Sequence, residues 1–408
     1  MTTKSRTPPH LFTIILLTAF SPLSLNMFLP SLGNIARDLE TDYALASVAI
    51  AGYLAATAVI QLIAGPMSDR FGRRPVLLVA LTLFTIASVV CSLAENIWVF
   101  LAFRMLQGGV SAGYTLSLAI VRDTNPPQKA AGLIGYISMC MAIAPMLGPV
   151  LGGILDTAFG WRSNFYAYSL CGAALLLLCW IDLGETRPGH DTDHPEQSGT
   201  AEHGTPFSLI RDPRFCAYVL CTAFSVGAFY IFLAGAPLVA TTTFGISTAE
   251  LGFFIGSITL GFSAGGFLSG RFASRVSLTA MMLTGRIIAC LGMTTGLALV
   301  SLGWVSPLIF FASTIFVGFG NGITIPGSNS GAMSVNPALA GSAAGMIGAL
   351  TLAGGAVLTS LTGLAIETGD RPKTVLALML ASSAIGFLAA FAAHILERRE
   401  RFRAGEAW

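Results

Sequence analysis

Gly65-Pro-Met-Ser68-Asp69-Arg70-Phe71-Gly72-Arg73-Arg74 closes one long apolar run, and Gly266-Phe-Leu-Ser269-Gly270-Arg271-Phe272-Ala-Ser-Arg275 closes another about half a chain later. Glycine, serine, the first arginine, phenylalanine and the last arginine coincide without a gap, while Asp69 gives way to Gly270. A basic turn that recurs at half-chain spacing marks an internal duplication. The rest of the chain is in keeping with apolar runs joined by such turns. Of 408 residues, 54% are hydrophobic and only 10% charged, with a mean hydropathy of +0.75. Soluble domains carry about a quarter charged residues, so a soluble reading fails. A bilayer-spanning helix needs roughly 20 apolar residues, and about twelve would leave only short loops and tails.

Twelve segments fit: 11–32, 44–65, 75–93, 98–120, 131–155, 165–183, 215–240, 251–273, 278–303, 307–325, 338–366 and 374–395. The first is long for a signal-peptide core and is expected to be retained. Alternating loops put sixteen Lys and Arg residues on one side and four on the other. The positive-inside rule makes the richer side cytoplasmic, with both termini there. Residues 184–213 form the one polar, proline-bearing interruption, which reads as a cytoplasmic linker. It divides the chain into six-span halves at 1–183 and 214–408. The expected class is therefore an all-α polytopic membrane protein. Forty-five glycines suit close helix packing in lipid. Seven scattered cysteines without a CxxC spacing read as packing residues, giving neither disulfides nor a metal site. A net charge of +2 gives no reason to expect nucleic acid.

Three motifs carry a resemblance. The stretch from Gly65 through Asp69, Arg70 and Arg73 to Arg74 resembles the GxxxDRxGRR signature between spans two and three of the major facilitator superfamily. Arg104-Met-Leu-Gln107-Gly108 in the fourth span resembles that superfamily's RxxQG signature. Gly135, Ala144, Gly148, Pro149, Gly152 and Gly153 resemble its fifth-span antiporter pattern, departing only at Ala144. Leu23-Ser-Leu-Asn26-Met27-Phe28-Leu29-Pro30 is similar to the first span of Bcr/CflA drug-resistance exporters, with Asn26 where relatives often have aspartate. The resemblance implies two rocking six-helix bundles. It also implies that Asp69 and Arg73 help lock one state, with Arg73 reaching Asp123, and that Arg104 takes part in proton transfer. The fifth-span pattern is associated with exporters.

Read from its residues, Arg104 lies roughly 9 Å inside the membrane, where a charge costs on the order of 2.5–3.5 kcal/mol. It is expected to face a protein cavity. Asn26 sits at similar depth and cannot titrate, so it is expected to bind substrate or orient Arg104. Every acidic residue lies in a loop or near a span end, Asp156, Asp182, Glu250 and Glu367 being nearest the membrane. Arg286, about eight residues into the ninth span, reads as snorkelling to the cytoplasmic surface. If it faced the cavity with Arg104 instead, the site would be electropositive and favour neutral or anionic cargo. With spans one, four, seven and ten lining the path, as the resemblance implies, Gln107, Tyr114, Tyr230 and Asn321 complete the expected binding set.

The expectation is an inner-membrane, monomeric exporter of small amphiphilic compounds, exchanging them for protons, with no cofactor and no metal. Alternatives are a proton-coupled metabolite importer on the same fold and a transporter-like sensor without flux. No nucleophile–base cluster suggests an enzyme.

Overall fold

The computed structural model describes residues 9–125, 133, 137, 147–184, 206–272, 275–336 and 339–403. Every regular element among them is helical. The first span is α1 (Leu11–Met27), a 3-10 turn (Leu29–Ser31) and the short α2 (Leu32–Asp38). Proline explains the break. Pro30 has no N–H to continue the ladder, so the helix closes at Met27 and restarts after Ser31.

The second and third spans are α3 (Tyr43–Phe71) and α4 (Arg73–Leu93). The quoted signature is therefore mostly the last turns of α3, and Gly72 alone is the corner between the helices. Its φ of 96° lies where residues with a Cβ are strained, and its N–H closes on the Ser68 carbonyl at 3.0 Å. The fourth span, expected as one helix, is instead α5 (Ile97–Gln107), a 3-10 turn (Gly108–Ser111) and α6 (Ala112–Thr124). At the break Gly108 sits on the α3 backbone, where a Cβ would come within 3.1 Å of the Tyr53 carbonyl oxygen. Of the fifth span, α7 (Leu147–Phe159) is described, and the sixth is α8 (Arg162–Asp182).

The remaining spans are α9 (Pro213–Thr243), α10 (Thr248–Phe272), α11 (Leu278–Ser301), α12 (Pro307–Ser334), α13 (Ala340–Thr368) and α14 (Arg371–Arg403). Ordinary start signals open several of them. Asp212, Ser277 and Ser306 cap α9, α11 and α12, and Pro213 and Pro307 occupy their first turns. By length and composition ten described segments are able to cross a membrane, with α7 a shorter apolar helix. The molecule is a multi-pass membrane protein.

Packing groups α4 with α8 and α5, and α12 with α10 and α11, while α9 pairs with α14. A seam of α3 against α13 joins the first half of the chain to the second. Hydrogen bonds across the seam gather at the face away from the chain termini. Tyr43 Oη donates to the Ala234 carbonyl at 2.7 Å, and the Ala44 N–H donates to Glu367 Oε1 at 3.0 Å. Thr157 and Thr248 pair their hydroxyls at 2.8 Å.

Candidate functional site

Ending α1 at Met27 leaves its last carbonyls without helical partners. The Phe28 N–H, which would have served Ser24, turns to the Asn26 carbonyl. Ser24 is rescued from elsewhere in the fold. Arg104 Nη2 donates to its carbonyl at 2.9 Å, and Tyr168 Oη from α8 donates at 2.9 Å. A cation at a helix C-terminus also meets the negative end of the helix dipole.

The rest of the guanidinium is equally well housed. Arg104 Nη1 donates to Gln107 Oε1 at 2.6 Å, and Gln107 Nε2 passes the chain on to Ser88 Oγ on α4 at 2.7 Å. Its carbon lies 4.1 Å from the Phe28 ring centre and 4.5 Å from that of Tyr53. A desolvated cation–π contact contributes about 2 kcal/mol, comparable to the insertion cost of the charge. Tyr53 Oη and Ser24 Oγ close the cluster at 2.8 Å. Arg104 is 0% exposed, so the expected cavity-facing arginine is corrected to one enclosed within the first half. Rings and an orphan carbonyl replace water.

Asn26 is buried but does not orient Arg104. Its Nδ2 donates to the Pro22 carbonyl at 2.7 Å, and its Oδ1 has no partner among the described residues. What it touches is the fifth span, since a Cβ on Gly148 would lie 3.1 Å from Asn26 Cβ. One turn on, a Cβ on Gly152 would collide with the Met27 carbonyl oxygen. The neighbouring face of α7 meets the second half: Gly252 of α10 lies against the Pro149 carbonyl, and Gly153 against that of Thr248. The Gly148, Pro149, Gly152 and Gly153 pattern thus grips the broken first span on one side and α10 on the other. Gly135 and Ala144 lie outside the described residues.

Arg286 is corrected too. It does not reach the surface but is 0% exposed, with Nε donating to Thr324 Oγ1 at 3.1 Å and Nη2 to Asn321 Oδ1 at 2.6 Å. Asn321 Nδ2 in turn donates to the Ser225 carbonyl on α9 at 2.9 Å. Tyr230 packs its ring against α13 at Gly355, and Tyr114 is half-buried on α6. The structure joins Arg104 to Gln107 and Asn321 to Arg286, but the contacts described do not gather the six candidate binding residues in one pocket. A groove of about 540 Å³ between α11 and α12, lined by Leu291, Leu308 and Phe316 among others, contains none of them.

At the quoted turn, Arg73 donates to Ser68 Oγ. Arg74 donates to the Trp180 carbonyl at 2.9 Å and stacks on that ring at 5.5 Å, tying the corner to the end of α8. Arg70 lies over Phe71 at 5.4 Å. Gly65 falls within α3, and the side chains of Asp69 and Asp123 lie outside the described residues, as does the expected Arg73–Asp123 pair. Glu250 accepts from the Ser247 N–H at 3.0 Å while Ser247 Oγ accepts from the Glu250 N–H at 3.3 Å. That reciprocal pair is a capping box for α10. Sequence reasoning missed Ser24, Tyr53, Tyr168 and Ser88. Two tyrosines deep in apolar runs were the available signal, because a buried phenol needs a partner.

Residues 14–360 match the family model of the Major Facilitator Superfamily. The chain is 32% identical over 385 residues to the uncharacterized MFS-type transporter YdgK of Bacillus subtilis, covering 93% of this chain and 94% of that one. It is 33% identical over 285 residues to the multidrug resistance protein MdtL of Escherichia coli, covering 68% and 69%. Among solved structures, an inward-facing, occupied bacterial homologue of the human lysosomal transporter Spinster superposes with a TM-score of 0.75 at 17% identity, covering 95% and 96%. A D-xylose–proton symporter does so with 0.74 at 15%, covering 94% and 97%. Fold and motifs together define a membrane transporter of small molecules. The chain belongs to the Major Facilitator Superfamily.

Proposed function

We propose that the protein exports small amphiphilic compounds across the inner membrane in exchange for protons, as a monomeric Bcr/CflA-type drug-resistance transporter with both termini cytoplasmic. The observation that carries this reading is the two-sided grip of α7, whose Gly148, Gly152 and Gly153 bind a broken first span to the opposite half. Such a joint can release one side while holding the other, as rocking of two halves at 1–183 and 214–408 requires. Relatedness to a multidrug resistance protein supports an exporter. Cargo would pass between spans one, four, seven and ten, near Asn26, Tyr114, Tyr230 and Asn321, while Arg104 and Gln107 brace the wall from behind. Asp69, Arg70, Arg73 and Asp123 would gate the cytoplasmic side.

Asn26 cannot carry the exchanged proton. Asp69, Asp123 or the cargo itself would carry it, because Glu250 is engaged as a helix cap. The test is cargo-driven pH change in everted vesicles, with wild type beside Asn26→Asp. Cargo-dependent alkalinisation of the lumen in wild type, strengthened in Asn26→Asp, is expected. Uptake without any proton movement in either protein would remove the antiport assignment, and cargo leaving with protons would make the protein an importer.

A further inference from the structure

The two buried arginines answer each other through the internal repeat. Ser24 and Ser225 stand 201 positions apart, the offset that relates Gly65 to Gly266. In the first half the Ser24 carbonyl receives a guanidinium that also holds the Gln107 amide. In the second half the Ser225 carbonyl receives the Asn321 amide, which a guanidinium holds from its other side. Gln107 and Asn321 each precede a glycine, Gly108 and Gly322, on which a neighbouring backbone closes. A grouping of serine carbonyl, amide and guanidinium thus recurs in the two halves, with the cation on the fourth span in one and on the ninth in the other.

Both charges are wholly buried, and among the described residues each keeps one buried N–H without a partner, Nε on Arg104 and Nη1 on Arg286. Their described partners are all neutral. The sequence offers no remedy: all 20 acidic residues lie in loops or near span ends, and of 22 basic residues only these two lie within a span away from its ends. The membrane-embedded core therefore carries two positive charges with no carboxylate to offset them.

We propose that this core selects amphiphilic organic anions and rejects organic cations. The inference rests on the reading that a small molecule is carried and is independent of the direction of transport. A unit charge at roughly 10 Å in a medium of effective dielectric about 20 shifts affinity by roughly tenfold. An anion gains that factor from each guanidinium and a cation loses it.

The experiment measures binding and proteoliposome transport of 1-naphthylacetate, its neutral amide and 1-naphthylethylammonium by the full chain. Their apolar bodies match and their charges differ. The acid is expected to bind at least tenfold more tightly than the ammonium, with the amide between. Arg286→Met should narrow that gap at least threefold, and Arg286→Lys should preserve it. Wild type binding the ammonium as well as the acid, or binding none of the three, would overturn the proposal. So would an unchanged gap in folded Arg286→Met. If Arg286→Met does not fold, the wild-type order and the lysine variant decide. In everted vesicles, acid moving outward from the lumen would defeat the export reading and leave charge selection standing.

Discussion

Arg104 and Arg286 are equally buried, yet they solve different problems. Arg104 closes an open helix end: α1 stops at Met27, and the guanidinium supplies a donor that the backbone no longer provides. Arg286 meets no such need. Ser225 lies inside the unbroken α9, and its carbonyl is reached by Asn321, with the arginine one step behind. Two aromatic faces cover Arg104, whereas Arg286 has a hydroxyl and an amide. The first half uses its buried charge to hold a broken span; the second uses it to fix two side chains of α12, Asn321 and Thr324.

That difference sets the sizes of the expected effects. Arg104→Ala removes two charged hydrogen bonds, each contributing about 1.5–3 kcal/mol. It also strips Gln107 Oε1 of its partner. Destabilisation of roughly 3–5 kcal/mol is expected, read as a fall in Tm of the detergent-solubilised protein. Arg286→Ala also removes two charged hydrogen bonds but no cation–π contact, so its cost should be smaller by about 2 kcal/mol. Equal losses would erase the distinction between the two sites.

Gly152→Ala comes next. Its methyl meets the Met27 carbonyl, a backbone atom that cannot swing aside, so overpacking of about 1–3 kcal/mol should fall on the joint between α1 and α7. Transport should drop with it. Gly109→Ala, which meets nothing within 4 Å, is the matched control, and similar transport by the two variants would sink the joint. Smallest is Tyr53→Phe, which keeps its ring over Arg104 but loses the hydroxyl pair with Ser24. About 1 kcal/mol is expected in thermal unfolding. A loss as large as that of Arg104→Ala would mean that the hydroxyl pair holds the cluster.

Most of the helical layout was legible because apolar length and loop charge are local properties of a membrane chain. The break at Pro30 was not legible, since 11–32 reads as one span and apolar length does not register a missing N–H. The site was less legible than the layout. Depth singled out Arg104 but could not say whether water or protein would solvate it, because apart from Gln107, three residues on, its solvating groups come from α1 and α3, far from it in sequence. Arg286 was misread for a related reason. A long stem near a helix start suggests snorkelling, and only the approach of α12 offers it Asn321 and Thr324 instead. Glu250, read as one of the acids nearest the membrane, has Ser247, three residues before it, as its partner.

The account rests on the two halves parting at the face where Tyr43, Ala44 and Thr157 meet their partners. Thr157 and Thr248, hydroxyl to hydroxyl at 2.8 Å, are the side chains to join by paired cysteines. The decisive measurement is transport by Thr157→Cys/Thr248→Cys in proteoliposomes, oxidised and then reduced, beside each single variant. Oxidation should abolish flux in the double variant alone, and reductant should restore it. Undiminished flux through the cross-linked protein would contradict alternating access at this seam.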